Sequence, residues 1–163
     1  MNMNAKTKNL TLAAIIAALY VLLTYLAMLC GLDKYAVQLR FSEALTILPV
    51  FAPAAIPGLF VGCLLANILT GCAVWDIVFG SLATLIGAAG TYLLRRHRVL
   101  AVLPPIFANV IIVPLVLRYA YGTPDALPYL MLTVGLGELV SCGVLGLLLG
   151  RLLDRYRSAL KLF

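Results

Sequence analysis

Four long apolar stretches, at about residues 10–30, 74–94, 99–121 and 127–153, dominate the chain. Each is close to the ~20 residues that carry a helix across a hydrocarbon core, so each predicts a transmembrane helix. The stretch 42–71 is also apolar, but Pro53 and Pro57 interrupt it. Each proline removes an amide donor and clashes with the preceding turn, which argues for two helices near 42–52 and 54–71 rather than one. The first stretch follows Lys6 and Lys8 as a signal peptide would. Its apolar run exceeds a 7–15-residue signal core and no small-x-small cleavage site follows, so it reads as the first transmembrane helix.

Charge decides between five crossings and six. Lys6 and Lys8 precede the first span, Arg95, Arg96 and Arg98 separate 74–94 from 99–121, and Arg151, Arg155, Arg157 and Lys161 come at the end, nine of the twelve Lys and Arg residues. Cytoplasmic segments collect positive charge. Placing all three clusters inside requires an even number of crossings between residues 8 and 95, so 42–71 must cross twice. The expectation is a single all-α membrane domain over 1–163 with six transmembrane helices, both termini cytoplasmic and the second helix short. The outer face then carries Lys34, Arg40 and Arg118 among Asp33, Glu43, Asp76 and Asp125, which is close to neutral.

Composition agrees: 64% of the 163 residues are hydrophobic and 11% charged, against roughly 45–50% and about 25% in soluble domains. The net charge of +6 sits at the ends of spans rather than along one face, so it reports topology and not nucleic-acid binding. Cys30, Cys63, Cys72 and Cys142 have no metal-binding or redox spacing and read as small core residues. No phosphate-binding GxxxxGK[ST] loop, HExxH or GxSxG is present. The chain is therefore expected to be no enzyme, and any ATP must be used by other subunits.

Polar groups at membrane depth are the candidate site. Glu138 lies near the middle of the last span, where a charged residue costs about 2.5–3.5 kcal/mol even on the milder insertion scale. Asn109 lies mid-span, Asn67 and Asp76 flank the connection after the third helix, and Gln38, Arg40 and Glu43 precede or open the second. Together they predict an outward-facing pocket closed by the 32–42 loop. Plainer readings stand beside this one. Glu138 could be a protonated structural group, Arg40 and Glu43 a loop-ordering ion pair, Asp76 a partner for a helix dipole, and Trp75 a member of an interfacial aromatic belt. Asn67 and Asn109 could simply join helices. On the first helix Ala13 and Ala17, with Ala14 and Ala18, form a strip of small residues suited to close helix approach, either inside the subunit or against a partner.

The blocks QLRFSEALTILP (38–49), AIPGLFVGCLLAN (55–67), WDIVFGSLATLIGA (75–88), the Asn109 region and GELVSCGVLG (137–146) resemble the substrate-binding S-components of energy-coupling factor (ECF) transporters, and among them the queuosine-precursor group. The resemblance runs over nearly the whole chain. It implies a multi-pass cell-membrane subunit that captures a 7-deazaguanine base, 7-aminomethyl-7-deazaguanine foremost. It also implies docking through Ala13 and Ala17 on a transmembrane coupling subunit that carries two ATPase subunits. In that picture Glu138, Asp76 and Glu43 accept the N–H donors of a guanine-like edge and its cationic substituent. Asn109 and Asn67 read the remaining polar atoms, Arg40 completes the polar set, and Trp75 or Phe41 stacks on the ring. An S-component for another vitamin-like micronutrient, with a thiamine- or biotin-sized pocket, is the alternative. An intramembrane enzyme using Glu138 with Asp76 and a structural assembly factor are more distant ones.

Overall fold

The computed structural model describes residues 4–32 and 39–160. Asp33, Lys34, Gln38 and Lys161, singled out above, lie outside the described residues, as does most of the 32–42 loop. Among the described residues all regular structure is helical: α1 (Ala5–Leu29), a 3-10 helix (Phe41–Val50), α2 (Ala55–Leu69), α3 (Val74–Leu93), a short α4 (Arg98–Ala101), α5 (Leu103–Tyr119), α6 (Leu127–Glu138), a π-helical segment (Leu139–Leu145) and α7 (Gly146–Leu160).

Four of these units are long and apolar enough to span a bilayer: Ala5–Leu29, Val74–Leu93, Arg98–Tyr119 and Leu127–Tyr156. The chain is thus an all-α, multi-pass membrane protein. Of the six spanning helices expected, four are long enough to span by themselves, whereas Phe41–Val50 and Ala55–Leu69 are apolar but short. At the rises of 3-10 and α-helices they reach about 20 Å and about 22 Å, below the ~30 Å hydrocarbon thickness. Proline marks the break between them. Pro49 lies inside the 3-10 helix, and Pro53 falls in the turn before α2.

The helix ends alternate between two ends of the bundle. Arg98, at the start of α4, pairs with Asp154 of α7 and lies over the Phe51 ring, 5.1 Å from its centre. Leu12 of α1 joins Leu149 and Leu153 of α7 around one core cluster. At the opposite end the Tyr25 hydroxyl donates to the Leu69 carbonyl at 3.2 Å, and the Ala73 amide donates to the Tyr121 hydroxyl at 3.0 Å. The tight reversal after α2 needs Gly71, whose φ of +74° is a conformation that side chains rarely adopt.

Close backbone approach holds the bundle together. A Cβ at Gly58 would lie 2.7 Å from the Ala13 carbonyl oxygen, and one at Gly62 would lie 2.7 Å from Tyr20 Cβ and 3.0 Å from Ala17 Cα. The small residues of α1 and α2 therefore interlock, the arrangement that drives helix association where lipid supplies no hydrophobic effect. On the other side a Cβ at Gly87 would fall 2.6 Å from Pro105 Cα, so α3 meets α5 in the same way. Pro105 has no amide to offer the carbonyl four residues before it, and the Thr91 hydroxyl donates to that Ala101 oxygen at 2.8 Å instead. This cross-helix bond satisfies a backbone group freed inside an apolar bundle.

Gly62→Val should lower the thermal unfolding midpoint in detergent, since overpacking costs about 1–3 kcal/mol, or roughly 2–10 °C for a chain of this size. Gly143→Ala, where an added Cβ meets nothing within 4 Å, should shift it by less than about 2 °C.

Candidate ligand-binding site

Two irregular segments position the carboxylates. Glu43 sits in the first turn of the 3-10 helix, and Glu138 ends α6 where the π-helical segment begins. Both forms are uncommon at such lengths, and π-helical turns appear frequently at functional sites. Here they turn two distant sequence positions toward each other. Oxygens of Glu43 and Glu138 and the Cys142 sulfur all lie within 4.8 Å of one another, and all three residues are buried. Cys142 follows Glu138 by four residues and so shares its face.

Neighbouring hydroxyls and backbone groups fix this cluster from several sides. The Tyr20 hydroxyl of α1 donates to Glu43 Oε1. Thr24 and Ser42 hydroxyls meet at 2.9 Å. The Cys142 thiol lies 3.1 Å from Glu138 Oε2 and 3.5 Å from the Glu43 carbonyl oxygen, and the Thr46 hydroxyl lies 3.4 Å from the same sulfur. The Arg40 amide donates to Ser141 Oγ at 3.2 Å. Asn109 of α5, 4% exposed, sits beside both carboxyl groups. Among the described residues one buried side-chain polar atom has no hydrogen-bond partner, Glu43 Oε2.

A second group lies at the junction of α2 and α3. Asn67 Nδ2 donates to the Asp76 carbonyl oxygen at 3.3 Å, and the Tyr121 hydroxyl donates to Asp76 Oδ2 at 3.1 Å. Tyr121 also accepts from the Ala73 amide, so it ties the α5–α6 connection to the start of α3. Partial burial pushes its phenol up to about 12, and the adjacent Asp76 carboxylate adds to the rise, so it stays a neutral donor across the physiological range. Arg40 lies within electrostatic reach of both Asp76 and Glu43. Among the described residues the direct ion pair is Arg98–Asp154 rather than Arg40–Glu43.

The structure therefore gathers Glu43, Glu138, Asn109 and Arg40 in one group and Asp76 with Asn67 in a second, and leaves other candidates apart. Trp75 is 61% exposed, stacks on Phe79 with ring centres 5.9 Å apart, and lines an open apolar groove of about 730 Å³ with Phe79, Ile86 and Tyr119. That placement suits an interfacial aromatic. Phe41 is half-buried at the first residue of the 3-10 helix. Ala13 and Ala17 face α2 across Gly58 and Gly62, whereas Ala14 and Ala18 are exposed. Tyr20, Tyr121 and Cys142 were not singled out from the sequence as site residues. The signal for Cys142 was its spacing from Glu138, and that for Tyr20 was a hydroxyl three residues after Ala17 on the packed face.

The space bounded by Arg40, Val113, Val134 and Glu138 is about 10 Å³, against the ~300–1,000 Å³ of small-molecule pockets. The site is closed in this structure, and a ring-sized ligand requires these side chains to separate. The donor set of two carboxylates and a thiol could in principle also hold a divalent ion. The adjoining Tyr20 hydroxyl and Asn109 amide give the cluster the mixed character of an organic-ligand site.

Comparison with known proteins gives a consistent picture. The family described as QueT transporter matches residues 10–155. The chain is 35% identical over 82 residues to the queuosine precursor transporter QueT of Lactococcus lactis subsp. cremoris, an alignment covering 50% of this chain and 48% of that protein. The matched region is thus about half the length of that curated relative. No solved structure matches. The chain belongs to the QueT transporter family.

Tyr121→Phe should release the Ala73 amide, which then exchanges with deuterium about five-fold faster, the equivalent of one ordinary hydrogen bond of ~1 kcal/mol. Residue-resolved hydrogen exchange in detergent checks this.

Proposed function

We propose that this member of the QueT transporter family is the substrate-binding subunit of an ATP-driven ECF importer, capturing a queuosine precursor of the 7-deazaguanine class, 7-aminomethyl-7-deazaguanine foremost. The single observation that carries the reading is the convergence of Glu43, Glu138 and Asn109 in the interior of an apolar helical bundle. Ionisable residues in membrane helices face the bundle interior and mark substrate pathways. A planar base with adjacent N–H donors and a cationic aminomethyl group supplies the partners that clustered carboxylates lack. The relative's printed name, a queuosine precursor transporter, supports the same substrate class.

In this proposal the chain passes the membrane six times, the 3-10 helix and α2 forming a short pair covered by longer helices, with the basic ends in the cytoplasm. The Arg98–Asp154 pair and the shared Leu12, Leu149 and Leu153 cluster support one end for all three basic groups. The transmembrane coupling subunit, with its two ATPase subunits, docks on α1. Ala13 and Ala17 are engaged with α2, so the strip open to a partner is Ala14 and Ala18. Hydrolysis of ATP is left to the partners, and this chain performs no chemistry on its ligand.

Calorimetric titration of the purified chain with 7-aminomethyl-7-deazaguanine should give saturable binding, with guanine weaker. Glu138→Gln should weaken it by about ten-fold or more, the loss of a charge-assisted hydrogen bond of ~1.5–3 kcal/mol. Unchanged binding in that variant would remove Glu138 from the site, and binding of a vitamin instead of the deazaguanine would move the substrate assignment. Leucine at both Ala14 and Ala18 should abolish uptake by the assembled importer while sparing binding. Equal loss of both would count against docking through α1.

A further inference from the structure

Among the carboxylates of the site, Glu43 differs from the others in what it leaves open. Asp76 Oδ2 is held by Tyr121, and Glu138 Oε2 by the Cys142 thiol. Glu43 has one oxygen taken by Tyr20 and the other buried without a hydrogen-bond partner, the Asn109 amide lying beside the carboxyl group, in a residue only 1% exposed. A buried acceptor without a partner costs about 1–3 kcal/mol, more when charged. A fold that retains it beside Glu138 and Asn109 has an acceptor ready for an incoming N–H group.

We propose that Glu43 is the ligand's principal acceptor, receiving an N–H donor at Oε2, and that Tyr20 is a positioning residue that holds the carboxylate so that this oxygen faces Glu138 and Asn109. The ligand class is a heterocycle that presents N–H donors to the two carboxyl groups. The proposal rests on the capture reading above and assigns its specificity.

The geometry around Tyr20 supports the positioning role. Its side chain is 2% exposed, and its Cβ is wedged against Gly62, where an added Cβ would approach to 2.7 Å. The ring therefore has little freedom, and the hydroxyl reaches Glu43 from a fixed point on α1. Ser42, next to Glu43, is tied to the same helix through Thr24 at 2.9 Å. From the other side Cys142 and Thr46 lie against the Glu43 backbone carbonyl, with Thr46 Oγ1 donating to it at 2.6 Å. Backbone and side chain of Glu43 are thus both set, and Oε2 is left for the ligand.

Glu43→Gln keeps the shape but alters the chemistry. With Tyr20 donating to the amide oxygen, the amide nitrogen takes the place of Oε2 and presents a donor to the ligand's donor. Equilibrium dialysis of the full chain with labelled 7-aminomethyl-7-deazaguanine, thiamine and biotin, reading affinities into the millimolar range, tests the proposal with four proteins: wild type, Glu43→Gln, Tyr20→Phe and the double variant. Glu43→Gln should weaken binding by about ten-fold or more, and Tyr20→Phe by about five-fold. In the Glu43→Gln background the Tyr20 change should cost less than about two-fold, because it acts through Glu43.

Binding by Glu43→Gln within two-fold of wild type overturns the acceptor role. A Tyr20 effect of equal size in both backgrounds overturns the positioning role and shows general packing. If wild type ignores the deazaguanine but binds thiamine or biotin with the same Glu43 and Tyr20 dependence, this proposal stands and the queuosine-precursor assignment falls. Binding of none of the three overturns both.

Discussion

Two carboxyl groups, Glu43 and Glu138, have to be kept out of lipid within a chain that is 64% hydrophobic, and the arrangement of the helices follows from that requirement. An acid facing hydrocarbon is costly, whereas one that shares an interior with hydroxyls, an amide and a thiol costs less. The 3-10 helix therefore runs between α1 and the α6–π–α7 unit, where Tyr20 meets Glu43 on one side and Cys142 and Ser141 meet its backbone on the other. Its ten residues cannot span the bilayer, but they can place Glu43 beside Glu138.

That placement depends on close helix contacts elsewhere. α1 reaches the 3-10 helix because Gly58 and Gly62 let it rest on α2 with almost no side chain between them. The α3–α5 contact uses Gly87 and Gly90 against Pro105 and Pro104, and the prolines that permit it leave carbonyls without intrahelical donors. Thr91 answers one of these at Ala101. The small residues, prolines and hydroxyls of the spans are parts of one solution, since the close approach at Pro105 frees a carbonyl that the Thr91 hydroxyl satisfies.

The helical order was legible in the sequence because length and apolarity alone decide which segments can lie in a membrane. The break at 53 was legible because proline has one local consequence wherever it stands. What periodicity could not show was backbone type. A ten-residue 3-10 helix and a seven-residue π segment leave no signature in a run of apolar residues, yet they aim Glu43 and Glu138. The polar residues of the site stood out because charges and amides are rare at that depth. Their partners did not, because Tyr20 and Cys142 look like ordinary core residues until the fold brings them beside a carboxylate. Trp75 shows the converse: its place beside Asp76 in sequence suggested a shared site, but successive helical residues point in different directions, and it faces the apolar groove.

In the proposed capture role the chain must hold its ligand in one state and release it in another, which requires an element with two arrangements that a partner can bias. The space at Arg40 and Glu138 is only about 10 Å³, so admitting the proposed base would require such a change. The irregular helices are where the change costs least, because 3-10 hydrogen bonds are poorer than those of an α-helix and a π turn has one residue more than it needs. α1 is the element placed to bias it. One face exposes Ala14 and Ala18, while Ala17 and Tyr20 on the packed side reach α2 and Glu43. A partner docked on α1, as proposed, would also move the hydroxyl that hydrogen-bonds Glu43, so Tyr20 would join docking to the proposed ligand site.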